Sequence, residues 1–316
     1  MTEMTHCVSC GGGAVAPDGR CWDCGHAQPA FRAHLELTAA GGAAGVSDRG
    51  LRRAVNADAM ALTRMGAWTV GVVCDGVSMS PRSERAAQVA AESGAATTAA
   101  RLRADALPET ALTEGALMAG RAVAALAGIR TAHPPTAPAA PGMSDVTIPT
   151  DPVTRRSTNA VTPANAITWL AAAELGAPAC TYVAGVAGPD GVWSCWVGDS
   201  RAYWLPDEGV GMALTEDDTG EHEALSAWLG ADAGEPEPRI RGYRPSGPGR
   251  LLLCTDGLWR HLPGPDSLRA HAAPAGDLLK AARALVEHAI AAGGQDNITA
   301  LLIPFRPAGA PQRSHP

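Results

Sequence analysis

Lysine is all but missing from this chain. Lys280 is the only one among 316 residues, and arginine supplies the rest of the 25 basic side chains, set against 32 acids. The net charge of −7 and a pI near 5.7 exclude the broad basic surface that nucleic acid or an anionic membrane would need. Aromatics are scarce at 4%, so a core has to be assembled from Ala, Val and Leu. Long apolar runs are absent as well. The most apolar long window, ITWLAAAELGAPACTYVAGVAG, is broken by Glu174, Pro178 and several glycines and fails as a membrane span. The N-terminus, MTEMTHCVSC, carries an acid and cysteines where a secretory signal needs a basic start and an apolar run. The expectation is a soluble, cytoplasmic protein without a membrane partner, whose eight cysteines are reduced or metal-bound.

Half of those cysteines are grouped. Cys7, Cys10, Cys21 and Cys24 form two Cys-x-x-Cys knuckles separated by ten residues. Four thiolates at this spacing suit a closed tetrahedral structural site, which predicts a zinc ribbon over residues 1–30. A redox Cys-x-x-Cys belongs in a thioredoxin-like strand–helix context, which is missing here. His6 and His26 lie close by but are not needed as ligands. Few basic residues surround the module, so a docking or structural role is expected, not nucleic-acid binding. Cys74, Cys180, Cys195 and Cys254 sit singly in apolar stretches and read as small hydrophobes.

Residues 131–165 are rich in Pro, Thr and Ala without apolar periodicity, which predicts a disordered insertion; residues 305–316 read as a flexible tail. Helical patterns cover 84–104, 111–129 and 276–293. Strand-like runs stand at WTVGVVC, CTYVAGVA, GVWSCWVGDSRAYWL, RLLLCTDG and the end of QDNITALLIPF. Strands, two helices, strands, a helix and a strand make an α+β order with mainly antiparallel sheet, not a doubly wound alternation.

One pattern recurs along these runs: an apolar strand that ends on an acid. In VCDGVSMS the strand stops at Asp75-Gly76, and in RLLLCTDGLW at Asp256-Gly257. Asp199 occupies a turn between strand-like runs, Asp296 precedes the last strand, and Arg53 and Asp58 lie in DRGLRRAVNADAM. An isolated Asp-Gly is an ordinary turn. Several buried acids gathered in one place are costly unless cations neutralise them. Hard divalent ions such as Mg²⁺ and Mn²⁺ take oxygen ligands, few of them carboxylates, and a glycine after the acid lets its carbonyl approach too. The constellation reads as a two-metal oxygen site.

In order and context, RAVNAD, CDGVS, GDSRAYW, CTDGLW and QDNIT resemble the type 2C metal-dependent protein serine/threonine phosphatases over roughly residues 43–304. The resemblance implies a phosphatase domain built as a two-layer antiparallel β-sandwich flanked by helices (αββα). It implies that Asp75 bridges two Mn²⁺ or Mg²⁺ ions, that Gly76 offers its carbonyl, and that Asp256 and Asp296 are further ligands. Arg53 would grip the substrate phosphate with its planar fork of donors. Asp58 would hold a water beside the metals, and Asp199 and Arg201 would support the site. The implied reaction is hydrolysis of phosphoserine and phosphothreonine by a metal-activated water, without a phospho-enzyme. The implied partners are phosphorylated proteins made by serine/threonine kinases, in signal transduction.

Other nucleophiles fit poorly. Cys74 and Cys254 each adjoin an acid that suppresses thiolate, and no Cys-x5-Arg loop follows them. His261 and His288 read as surface or helix residues. Four positions depart from the family pattern. Ala57 replaces Glu or Gln, and Arg260 replaces an acid or amide. Gly176, with Glu174 nearby, stands where an acid would help bind a third metal, and Val77 stands where some members carry histidine. The core acids are intact, but the departures motivate an alternative: a pseudophosphatase that binds phosphoproteins or acts as a scaffold.

Overall fold

Val-, Ala- and Leu-rich segments punctuated by turns pair into antiparallel sheets in the computed structural model. It describes residues 7, 9–11, 20, 21, 23–26, 28, 33–78, 80–128, 177–220, 224–272 and 277–307. The first strands are β1 (His34–Thr38), β2 (Ala44–Asp48), β3 (Ala59–Met65) and β4 (Trp68–Cys74). Two helices follow, α1 (Ser83–Arg103) and α2 (Pro108–Ala125). Next come β5 (Ala179–Cys180), β6 (Tyr182–Gly188), β7 (Gly191–Val197), β8 (Arg201–Pro206) and β9 (Met212–Ala213). They are followed by β10 (Leu229–Gly230), β11 (Arg239–Tyr243) and β12 (Gly249–Cys254). Helices α3 (Asp256–Trp259), α4 (Pro265–Ala272) and α5 (Leu278–Ala291) lead to the last strand, β13 (Ile298–Phe305).

One sheet has the order β1-β2-β13-β12-β8-β9 and the other β11-β7-β6-β4-β3, with β5 and β10 as a separate pair. The facing sides are joined by Met60, Val73, Val183, Trp196, Trp204, Leu251, Leu253, Leu301 and Ile303. The outer face of the five-stranded sheet is covered by α1 and α2, and that of the six-stranded sheet by α4 and α5. The architecture is therefore αββα, the fold that the resemblance implied. It also explains why β4, WTVGVVC, is apolar on both faces apart from Thr69: both faces are covered, so no polar alternation survives. The edge strand β11, RIRGY, has one partner and carries arginines that discourage further pairing.

With so few aromatics, helix-to-sheet packing relies on small side chains. Helix α1 buries Ala86, Ala87, Ala90, Ala91, Ala95 and Ala99 and lies directly on β3, β4 and α2. Helix α5 is started by Asp277, whose carboxylate accepts from the Lys280 backbone N–H at 2.8 Å.

Two boundaries move. Phe305, read as the first residue of the tail, is buried at the end of β13, where it packs on Trp204. The second helix ends at Ala125 and passes into a 3₁₀ turn, Leu126–Gly128. The insertion at 131–165, Glu174, Gly176 and the rest of the tail from residue 308 lie outside the described residues. No helix among the described residues is long and apolar enough to cross a membrane.

Tight Ala packing has a testable consequence. Ala90 is fully buried between α1 and its neighbours, so Ala90→Leu overfills the layer and should cost about 1–3 kcal/mol in denaturant unfolding. An exposed change such as Arg103→Leu should cost less than about 0.5 kcal/mol.

Candidate functional site

Strand register gathers the acids. Ala59 of β3 lies opposite Cys74 of β4, so Asp58, entering β3, and Asp75, leaving β4, emerge side by side. In the other sheet Cys254 of β12 lies opposite both Arg201 of β8 and Ala300 of β13. Asp199, Asp256 and Asp296 thus flank three neighbouring strands at one end. Both sheets present this end on the same side, because Thr255 after β12 donates from Oγ1 to Asp58 Oδ2 at 2.8 Å.

Asp58 is the buried hub. Oδ2 also lies 2.7 Å from Thr299 Oγ1, which in turn lies 2.8 Å from Ser47 Oγ. Asn56 Nδ2 donates to Ser47 Oγ at 2.9 Å, so a file of donors ends on this one carboxylate oxygen. Its other oxygen, Oδ1, is buried without a hydrogen-bond partner, as is Asp256 Oδ1. Burial, together with the charges of Asp256 and Asp296, raises the Asp58 carboxyl to about 7, against the pull of Thr299 and Thr255. Asp75 is pushed well above the carboxylate range by burial and then by Asp58, Asp256, Asp199 and Asp296. Asp199 is raised to about 6 by burial, Asp256 and Asp217. Asp199 is thus part of the acid cluster, not only a support for it. The signal was available in its place at a strand end, as for Asp75 and Asp256.

Both Asp-Gly steps have a steric reason. A Cβ on Gly76 would stand 2.7 Å from the Ser83 carbonyl oxygen and 2.9 Å from that of Ala57, and one on Gly257 would overlap the Asn297 carbonyl. Asn297 holds the approach loop: its Oδ1 accepts from Ala57 N at 2.7 Å, and its Nδ2 donates to Arg49 O and Val55 O.

Two arginines flank the acids. Arg53 is bidentate on Asp296, Nε to Oδ1 at 2.7 Å and Nη2 to Oδ2 at 2.6 Å, so its fork is seated on a carboxylate. Arg260 donates from Nε to Asp256 Oδ2 at 2.9 Å. Arg201 is bidentate on Asp217 and stacks on Trp259. All the acidic donors are oxygens, the set that hard divalent ions take. They are more loosely gathered than the cysteines. Among the described residues, the four cysteine sulfurs are the one set of three or more such ligand atoms that all lie within 4.8 Å of one another.

Within that set, Cys7 and Cys24 sulfurs are 3.7 Å apart, and Cys10 and Cys21 sulfurs 3.6 Å. A tetrahedral site with metal–sulfur bonds of about 2.3 Å requires about 3.8 Å between sulfurs, so the cysteine cluster is consistent with a zinc ribbon. The backbone N–H of Cys10, then that of Ser9, holds the Cys7 thiol down at about 6, and Gln28 Nε2 donates to the same sulfur. The module touches the sandwich domain through Arg20, whose Nε donates to Glu84 Oε1 at 3.0 Å. Glu84 sits in the first turn of α1, where a carboxylate also complements the helix dipole.

A sequence profile described as Protein phosphatase 2C matches residues 51–293. No curated protein matches. Among solved structures, a bacterial serine phosphatase superposes with a TM-score of 0.60 at 16% identity, covering 85% of this chain and 99% of that one. Serine/threonine phosphatase Stp1 from Staphylococcus aureus gives 0.58 at 17%, covering 82% and 93%. The catalytic domain of the phosphatase PstP, solved with two manganese ions, gives 0.53 at 19%, covering 85% and 96%. At these identities the likeness is one of fold.

The raised carboxyls set a pH dependence. Unfolded, these acids lose their protons near pH 4; folded, Asp58 holds its proton to about pH 7 and Asp199 to about pH 6. Stability in chelator is therefore full at low pH and is lost as pH rises across that window. The melting temperature in EDTA should be higher at pH 5.5 than at pH 8, and Asp58→Asn should flatten the difference.

Proposed function

We propose that this chain, which belongs to the protein phosphatase 2C family, hydrolyses phosphoserine and phosphothreonine in proteins with two ions of the Mn²⁺ or Mg²⁺ type. The observation that carries the reading is the meeting of Asp58, Asp75, Asp199, Asp256 and Asp296 at one sandwich end, with two buried carboxylate oxygens unpartnered. Such crowding of like charge calls for cations.

In this reading Asp75, Asp256, Asp296 and the Gly76 carbonyl hold the ions. Once bound, the ions supply the Lewis acidity and positive charge for in-line attack by water on phosphorus. Asp58, anchored through Oδ2 by Thr255 and Thr299, keeps Oδ1 for a hydrogen bond from the attacking water and receives its proton. Arg53 orients the phosphate, for which its fork has the same bidentate match that it shows to Asp296. Val77 offers no acid, so solvent protonates the leaving alkoxide. Cys74 takes no part, because burial and its contact with Cys180 push its thiol up. The cysteine tetrad holds one structural zinc, and the sandwich that carries the acids runs from β1 (His34–Thr38) to Phe305, outside the expected 43–304 at both ends. The setting is cytoplasmic, with phosphorylated proteins as partners.

A second reading, a phosphoprotein-binding protein with little or no turnover, draws on Arg53 and Arg260, which both occupy carboxylates assigned here to metal. Phosphate release from a phosphoserine peptide under Mn²⁺ and Mg²⁺ titration separates the two. We expect turnover at millimolar-range metal. Asp75→Asn should lower kcat by on the order of 100-fold or more, since the site would lose a buried anion that would neutralise the bound ions. Arg53→Ala should raise KM more than it lowers kcat, and Cys74→Ser should leave both near parental. An inert parent that still binds phosphoprotein would establish the second reading. Elemental analysis should find one zinc per chain, lost in Cys10→Ser.

A further inference from the structure

Arg260 is the feature of the site that the proposed chemistry leaves unused. It follows α3, the single turn that opens with Asp256, and the i to i+4 spacing brings its Nε to Asp256 Oδ2 at 2.9 Å. Its guanidinium carbon lies 4.9 Å from the centroid of the Trp259 ring. The same indole donates from Nε1 to the Asp199 carbonyl at 3.0 Å. Trp259 therefore pins the Asp199 turn beside α3, and Arg260 brings a fixed positive charge to that side of the cluster. Of the other nearby arginines, Arg201 is bidentate on Asp217 and Arg53 is bidentate on Asp296.

We infer that Arg260 is a resident cation for the Asp199–Asp256 side of the site, a positioning residue that competes with a divalent ion for the Asp256 carboxylate and so weakens metal binding. The inference rests on the metal-site reading above. A guanidinium cannot be deprotonated to get out of the way. An ion drawn to the unpartnered Asp256 Oδ1 meets the arginine on the neighbouring oxygen, and to chelate both oxygens it must displace the arginine. Displacement is feasible, because the side chain is half exposed and has the Trp259 face beside it as an alternative seat.

Calorimetric titration of Mn²⁺ into the full chain, dialysed free of Mn²⁺, tests this alongside melting temperature. Solvent screening reduces the effect of a half-exposed charge, so Arg260→Gln should bind Mn²⁺ roughly five- to thirty-fold more tightly. Without added Mn²⁺ the same variant should melt lower, because Asp256 and Asp199 lose their cation, and the rise in melting temperature on adding Mn²⁺ should be larger. Arg260→Lys keeps the charge and should stay within about threefold of the parent. A purely structural role would weaken ion binding and stability together, whereas a competing cation moves them in opposite directions. Parental or weaker Mn²⁺ affinity in Arg260→Gln overturns the inference while leaving the metal site intact. If the parent binds no Mn²⁺, or binds it equally well as Asp75→Asn, the metal-site reading itself fails and the inference with it.

Discussion

One carboxylate oxygen ties the two sheets together where the chemistry would occur. Asp58 belongs to the approach to β3, yet its Oδ2 accepts hydroxyls from Thr255 and Thr299, which flank β12 and enter β13 of the opposite sheet. The layer between the sheets is otherwise mainly apolar, and apolar contacts fix distance more than orientation. At this end a charge-assisted pair of hydrogen bonds fixes where Asp58 sits relative to Asp256 and Asp296. With Oδ2 committed, Oδ1 remains buried and unpartnered. The same residue is thus both a structural tie and a source of unbalanced charge.

The acids are crowded because of topology. In each sheet, strands paired in register start and stop together, so the residues that follow or precede them are brought to a common edge. The apolar faces between the sheets then hold the two edges together. Folding buries apolar area and at the same time concentrates negative charge, and the burial opposes the repulsion. The two Asp-Gly steps belong to this compression, since the backbone after each acid runs against another chain segment with no room for a Cβ.

Legibility followed local pattern. The core strands were readable because coverage on both faces leaves long apolar runs, and Asp75, Asp256 and Asp296 because each interrupts or adjoins such a run. The short outer strands β1 and β2, the strand β3 and the edge strand β11 were not. HLELT alternates over only five half-exposed residues and RIRGY is broken by Gly242, and each is held by a partner distant in sequence or by a glycine-containing turn, so neither run stood out locally. Phe305 looked like tail because proline and glycine follow it, although its ring is held by Trp204 across the sheet. Thr255, Thr299, Ser47 and Asn56 could not be singled out from sequence, since a hydroxyl near a strand end is unremarkable until its acceptor is known. Asp199 carried the same strand-end signal as Asp75 and Asp256, and was read as support because it lies in the GDSR motif.

The arginines show how the chain handles the repulsion with its own side chains. Five carboxylates meet here, and two guanidinium groups, Arg53 and Arg260, sit directly on two of them. That leaves Asp58, Asp75 and Asp199 without a directly seated cation, and burial beside the neighbouring acids raises each of these carboxyls. Protons can remove this excess charge only by removing the ligands as well, because a neutral carboxyl is a poor donor to a hard ion. Divalent ions neutralise it while keeping the carboxylates ionised. Protons and metal ions are therefore alternative answers to the same crowding, and the arginines decide how much of it is left for either.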